Sequence, residues 1–279
     1  MTLNHFWRFY TIVSIAMLMP ILMSTLMLSA PTFAHDTEQQ PAQSDTDATQ
    51  KRQQQPAELT LSPLVPDVYL HQSYKQVSGF GLVESNGLVV VQDKQAFIID
   101  TPWTDSDTAK LVDWITQQGL TVAASISTHS HQDRAGGIGY LNSQGIATWV
   151  SDKTQRLLTA NKLNSASHTF STQQHTLEQQ LIEVYDLGAG HTVDNLVVWL
   201  PKQQILFGGC LIKSLNSRTL GYTGEADLEQ WPLTVAKVQA QFTQAKIVVP
   251  GHGKIGGTSL LSHTMDLLTQ QPQQPQRQY

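Results

Sequence analysis

Four short segments of this chain carry the residue types that bind metal ions. The first is Thr128-His129-Ser130-His131-Gln132-Asp133-Arg134, running into Ala135-Gly136-Gly137. Two histidines spaced i and i+2 at a strand end share one face and can converge on one cation, and an aspartate two residues further points to a neighbouring position. The second, Gly188-Ala189-Gly190-His191-Thr192-Val193-Asp194-Asn195, flanks a histidine with glycines that let the backbone approach a crowded centre. Phe207-Gly208-Gly209-Cys210 and Pro250-Gly251-His252-Gly253 are the third and fourth. Imidazole, thiolate and carboxylate are the usual ligands of zinc. Four histidines, one aspartate and one cysteine are too many for one tetrahedral ion but suit two ions that leave room for water. A lone H-x-H is more often a surface loop or a hydrogen-bonded core histidine, and a lone Gly-Gly-Cys a packed small residue. All four segments in one chain point to zinc.

Each segment follows a strand-like run, so a rigid scaffold would present the ligands on loops. Strands are expected at Val68–His71, Leu88–Val91, Ala96–Asp100, Val122–Ser127 and Ala147–Val150, with Asn86-Gly87 read as a turn. The second half adds Leu181–Tyr185, Leu196–Leu200, Ile205–Phe207 and Ile247–Val249. Asp107–Gln118 reads as an amphipathic helix, capped by Ser106 or Asp107 and closed by Gly119. Further helices are expected over Gly136–Ser143, Lys153–Ala160, from Asp227 to about Gln241, and over Ser259–Leu268. Strands in two batches, each with helices, predict an α/β fold in which a sandwich of two sheets is covered by helices on both outer faces.

The chain has 279 residues, 17 basic and 22 acidic, for a net charge of −5. That balance gives no sign of nucleic-acid binding. A single cysteine excludes an internal disulfide and zinc fingers built on cysteine pairs. Residues 1–34 read as an export signal: an apolar run from Phe9 to Leu28, broken by Pro20, leads to small residues flanking Phe33 in Thr32-Phe33-Ala34. An uncleaved membrane anchor is the rival reading of that run. Residues 35–58 lack aromatic and β-branched aliphatic side chains and read as a Gln-rich flexible spacer, and 270–279 as a tail of the same character. One folded domain is expected over 59–269.

With these motifs in place, the chain resembles the class B metallo-β-lactamases, in the subclass that uses three histidines at one zinc and Asp, Cys and His at the other. The likeness runs from about Val68 to the final helix. It implies an αββα sandwich with the site at one edge between the sheets. It implies that His129, His131 and His191 hold the first zinc, and that Asp133, Cys210 and His252 hold the second, with Asp133 also orienting the metal-bound hydroxide. Lys213, three residues after the cysteine, matches the family lysine that pairs with the substrate carboxylate. Tyr74–Gly81 matches its mobile hairpin flap, with Phe80 as the aromatic at the tip. The family stretch resembling G-N-L-G-D-A is here Gly221-Tyr222-Thr223-Gly224-Glu225-Ala226, so Tyr222 replaces the asparagine credited with contacting the lactam carbonyl. Arg134 and Asp100 are either supports for the ligands or an ordinary buried ion pair.

With the export signal, the expectation is a periplasmic enzyme, free of the membrane after signal cleavage and taken as a monomer. It would open the β-lactam amide of penicillins, cephalosporins and carbapenems and so confer antibiotic resistance. Another dizinc hydrolase of the same fold, acting on a thioester, lactone or phosphodiester, is the alternative. Such relatives usually read H-x-H-x-D-H, whereas here Arg134 follows Asp133 and a cysteine takes part. A zinc-binding envelope protein without catalysis is a third reading.

Overall fold

The computed structural model describes residues 57–270, which lie within one compact unit. The export signal expected at 1–34, almost all of the spacer expected at 35–58, and all but the first residue of the tail expected at 270–279 lie outside the described residues.

Twelve strands form two sheets among the described residues. The first sheet takes its strands in chain order: β1 (Thr60–Val65), β2 (Val68–Val77), β3 (Gly81–Gln92), β4 (Gln95–Ile99), β5 (Thr121–Ile126), β6 (Ala147–Ser151) and β7 (His168–Phe170). The second runs β12 (Ile247–Pro250), β11 (Ile205–Gly209), β10 (Val197–Leu200), β9 (Ile182–Tyr185) and β8 (Gln174–Glu178). β4 to β7 pair in parallel, as do β11 and β12, and the other neighbours are antiparallel.

Alternation along the strands fixes which face each sheet buries. Leu88 and Val90 of β3, Phe97 and Ile99 of β4, and Ala124 and Ile126 of β5 meet Val198 and Leu200 of β10 and Ile205 and Phe207 of β11 in the shared core. The opposite faces are apolar too, because helices cover them. Val89, Ala96 and Ile98 pack against Leu111 and Ile115 of α1 (Asp105–Gln117). Val197, Trp199 and Leu206 pack against Trp231, Val235 and Val238 of α5 (Gln230–Gln241) and Leu260, Leu261, Leu267 and Leu268 of α6 (Ser259–Thr269). The architecture is thus the expected αββα sandwich.

Several local expectations need correction. Asn86-Gly87 is not a turn: both residues lie inside β3, where Asn86 pairs with Gln72 and Gly87 with His71. A Cβ on Gly87 would come within 2.2 Å of His71 Nε2, so the glycine is there for the buried imidazole. The β2–β3 hairpin turns instead around Ser78–Phe80, at the tip of the flap. The helix expected over Gly136–Ser143 is α3 (Ile138–Ser143), and a separate single turn, α2 (Gln132–Ala135), precedes it. Thr104, rather than Ser106 or Asp107, caps α1, its side chain accepting from Asp107 N at 3.0 Å. α4 (Asp152–Ala160) follows β6 directly. The strands β1, β7 and β8 were not expected at all.

Candidate metal centre

The four ligand segments meet at one edge of the sandwich. His129 and His131 follow β5, Asp133 lies in the single turn of α2, and His191 precedes β10. Cys210 follows β11 and His252 follows β12. Backbone contacts lock these loops together: Leu196 N donates to Thr128 O at 2.8 Å, Gly251 N to Gly209 O at 2.7 Å, and Asn86 N to Gly251 O at 2.9 Å. Ser130 N donates to Asp194 Oδ2 at 2.9 Å, tying the first histidine segment to the second. Gly251 is required for close approach, since a Cβ there would stand 2.7 Å from Cys210 Sγ.

Three overlapping clusters result, His129/His131/Asp133, His129/His191/Cys210 and Asp133/Cys210/His252; within each, the donor atoms lie within 4.8 Å of one another. The rings of His129, His131 and His191 are mutually edge-on, with centroids 4.7, 5.1 and 5.3 Å apart. In the second group Cys210 Sγ is 3.4 Å from Asp133 Oδ2 and 3.2 Å from His252 Nε2, and His252 Nε2 is 3.2 Å from Asp133 Oδ2.

The donor set fits a divalent metal. Both ring nitrogens of His129 and Nδ1 of His191 are buried without a hydrogen-bond partner, a costly arrangement unless a cation uses their lone pairs. Burial holds the pKa of both histidines well below the ordinary value, leaving the neutral, ligating form. Burial would raise the pKa of Asp133, but the Arg134 guanidinium and His252 outweigh it and hold the carboxyl well below its usual range. His252, also desolvated, is pushed up to about 9 by the neighbouring Cys210 sulfur and Asp133, surroundings that favour a positive charge there. Its Nδ1 lies 2.5 Å from Glu84 O, which leaves Nε2 facing the cluster.

Arg134 and Asp100 do support the ligands. Arg134 is fully buried; its Nε donates to Asp133 Oδ2 at 2.9 Å, Nη1 to Asp100 Oδ2 at 3.1 Å and to Asn86 O at 2.6 Å, and Nη2 to Gly251 O at 2.7 Å. One side chain therefore braces α2, β3 and the His252 loop. Asp100 in turn accepts from Thr128 N at 2.6 Å, next to His129.

Lys213 is only 8% exposed, with Nζ 5.3 Å from the centroid of the Trp231 ring. Tyr222 is half exposed and its ring stands edge-on to His131 at 5.9 Å. Phe80 is exposed at the flap tip. Outside the cluster, His71 donates to Asp100 O at 3.0 Å, His168 stacks on Trp149 and His175 on Phe170, and His263 bonds Ser217 O at 2.9 Å.

Three participants were not foreseen. Glu225 bonds His131, Trp231 touches both His191 and Lys213, and Asn86 donates from Nδ2 to Pro250 O and Gly253 O at 2.9 and 2.8 Å. Glu225 and Trp231 lie 94 and 40 residues from the histidines they meet, and no local motif announces such pairs.

A family model described as the metallo-beta-lactamase superfamily matches residues 80–252, which span all six candidate ligands. The chain belongs to this superfamily. Its relatives place it in class B. It is 42% identical over 209 residues to a metallo-beta-lactamase type 2 of Pseudomonas aeruginosa, covering 75% of this chain and 84% of that protein. It is 38% identical over 215 residues to a metallo-beta-lactamase type 2 of Bacteroides fragilis, covering 76% and 86%. Among solved structures, the DIM-1 metallo-beta-lactamase, in a crystal exposed to ceftazidime, superposes with a TM-score of 0.76 at 49% identity, covering 77% of this chain and 98% of that one.

Proposed function

We infer that this class B metallo-β-lactamase is a zinc-dependent hydrolase that opens the amide bond of β-lactams. The observation that carries the reading is the pair of adjoining donor groups, three histidines beside Asp133, Cys210 and His252, at the sandwich edge of a chain so similar to proteins named for that activity. His129, His131 and His191 would hold one zinc, and Asp133, Cys210 and His252 the other. When bound, zinc supplies Lewis acidity and lowers the pKa of a coordinated water from ~15.7 to about 7.

The chain's own residues supply the rest. Asp133, kept anionic by Arg134, holds and orients the attacking water through its carboxylate. Lys213 brings a desolvated ammonium to pair with the carboxylate that penicillins, cephalosporins and carbapenems carry beside the lactam nitrogen. Tyr222, beside His131, walls the cleft with its ring, its hydroxyl packed over Gly224. Phe80 on the flap covers the substrate from the other side. The protein acts as a periplasmic monomer, freed from the membrane by cleavage after residue 34, and so protects the cell from these antibiotics.

The test is an assay of purified zinc-loaded protein against a penicillin, a cephalosporin, a carbapenem and a thioester. Ring opening that a chelator abolishes and zinc restores is expected. Thioester cleavage with all three lactams intact would transfer the protein to another hydrolase class.

A further inference from the structure

We propose that Trp231 is a positioning residue whose ring face holds the Lys213 ammonium where the substrate carboxylate arrives. Lys213 Nζ lies over the Trp231 ring, 5.3 Å from its centroid. That separation is within cation–π reach, and the attraction grows when water is excluded. Here both side chains are buried, Trp231 completely. Among the described residues no protein acceptor bonds Nζ, and Cys210 and Asp133 act on it through space. The kind of partner matters. A carboxylate in the place of the ring would close an ion pair with the lysine and compete with the substrate. The indole face attracts the ammonium and still leaves its charge and its three N–H donors to an incoming anion.

Bonds on both sides fix the ring. Trp231 Nε1 donates to Leu211 O at 2.8 Å, two residues before Lys213, and Lys213 N donates to Thr264 Oγ1 at 2.9 Å. The indole that faces the lysine side chain is therefore also bonded to the backbone that carries it. Its edge meets His191, with ring centroids 5.8 Å apart. A Cβ on Gly190 would stand 3.1 Å from Trp231 Cδ1 and 2.4 Å from Leu211 Cδ1, so a bare residue is needed for this loop to close on the ring. On the next turns of α5, Thr234 Oγ1 donates to Ala189 O at 2.6 Å and Lys237 Nζ to Leu187 O at 3.0 Å. One helix thus places a single ring between the lysine and a first-metal histidine. Packing alone would ask for an apolar side chain of this volume, without calling for a π face beneath an ammonium.

This assignment rests on the reading of Lys213 as the partner of the lactam carboxylate, and its test separates the two. Tryptophan with none, one, two or three ring fluorines would be installed at position 231 alone and the protein loaded with zinc. Fluorine drains negative charge from the ring face with little change of shape. For a lactam with a free carboxylate, KM should rise step by step along the series, to about 3- to 10-fold with three fluorines, while kcat changes little. For its methyl ester KM should stay constant. A second readout needs no turnover. In protein labelled with 13C-lysine, the ε-methylene protons of Lys213, assigned by their loss in Lys213→Arg, should be shifted upfield of the other lysines by the ring current. A KM that is flat along the series, or an unshifted Lys213 resonance, would overturn the assignment. A shifted resonance in a protein whose free-acid KM is unchanged by Lys213→Ala would refute the reading of Lys213 while upholding its contact with the ring.

Discussion

Lys213 sits where water is scarce, against the Trp231 ring and close to Cys210 and Asp133, and burial lowers its pKa while those neighbours resist the shift. An ammonium in such a place gains more from an incoming carboxylate than one in open solvent. Lys213→Ala should raise KM for a lactam bearing a free carboxylate by roughly 10- to 100-fold, the ~1.5–3 kcal/mol of a charge-assisted hydrogen bond, with kcat less affected. Steady-state kinetics with the free acid and its methyl ester check this: the ester should show no difference between variant and wild type. At this scale the sequence was most legible, because each candidate ligand is announced by its own neighbours. His129 and His131 share one strand end, and Cys210 and His252 each follow glycine. Glu225 was not legible as a partner, since its contact is made only when the chain folds.

At the scale of elements, the two sheets are joined at the site by Asn86. From inside β3 it reaches across to two carbonyls flanking His252, those of Pro250 and Gly253. Asn86→Ala would leave both acceptors without their donor, at a cost of roughly 2–4 kcal/mol. Urea unfolding of the metal-free variant should show that loss, and zinc titration should show the second ion weakened more than the first. The same residue explains a failure of the sequence reading. Asn-Gly between apolar runs is a strong turn signal, yet here the asparagine is taken up by a tertiary tie and the glycine by the ring of His71. Short strands such as β7 and β8, at the sheet edges, carry too few residues for a periodic pattern to stand out. The long apolar strands and α1 were legible because alternation and helical period are written locally.

Across the whole molecule, stability carries the imprint of one buried imidazole away from the metal. Burial depresses the pKa of His71 to about 4, although its bond to the Asp100 carbonyl opposes the shift. In the unfolded chain the value returns to about 6.5. Between these values the unfolded state binds the proton and the native state does not, so stability falls as the pH drops from about 6.5 towards 4, by up to about 3 kcal/mol for this residue. Asp100 acts in the opposite direction. Burial pushes its pKa up to about 6 against the pull of Arg134, so on acidification the native state protonates it before the unfolded chain does. Comparing denaturant unfolding of wild type and His71→Gln across this range separates the two: the variant should lose less stability on acidification, and an identical slope would contradict the assignment.

Zinc titration of metal-free protein, with ring opening of a carbapenem followed by absorbance, bears most directly on the central claim. No turnover should occur without metal, and activity should rise with added zinc and level off at about two equivalents per chain. Cys210→Ser should bind one equivalent tightly and lose most of the activity. Ring opening by metal-free protein, or two zinc ions bound with the lactam left intact, would contradict the account.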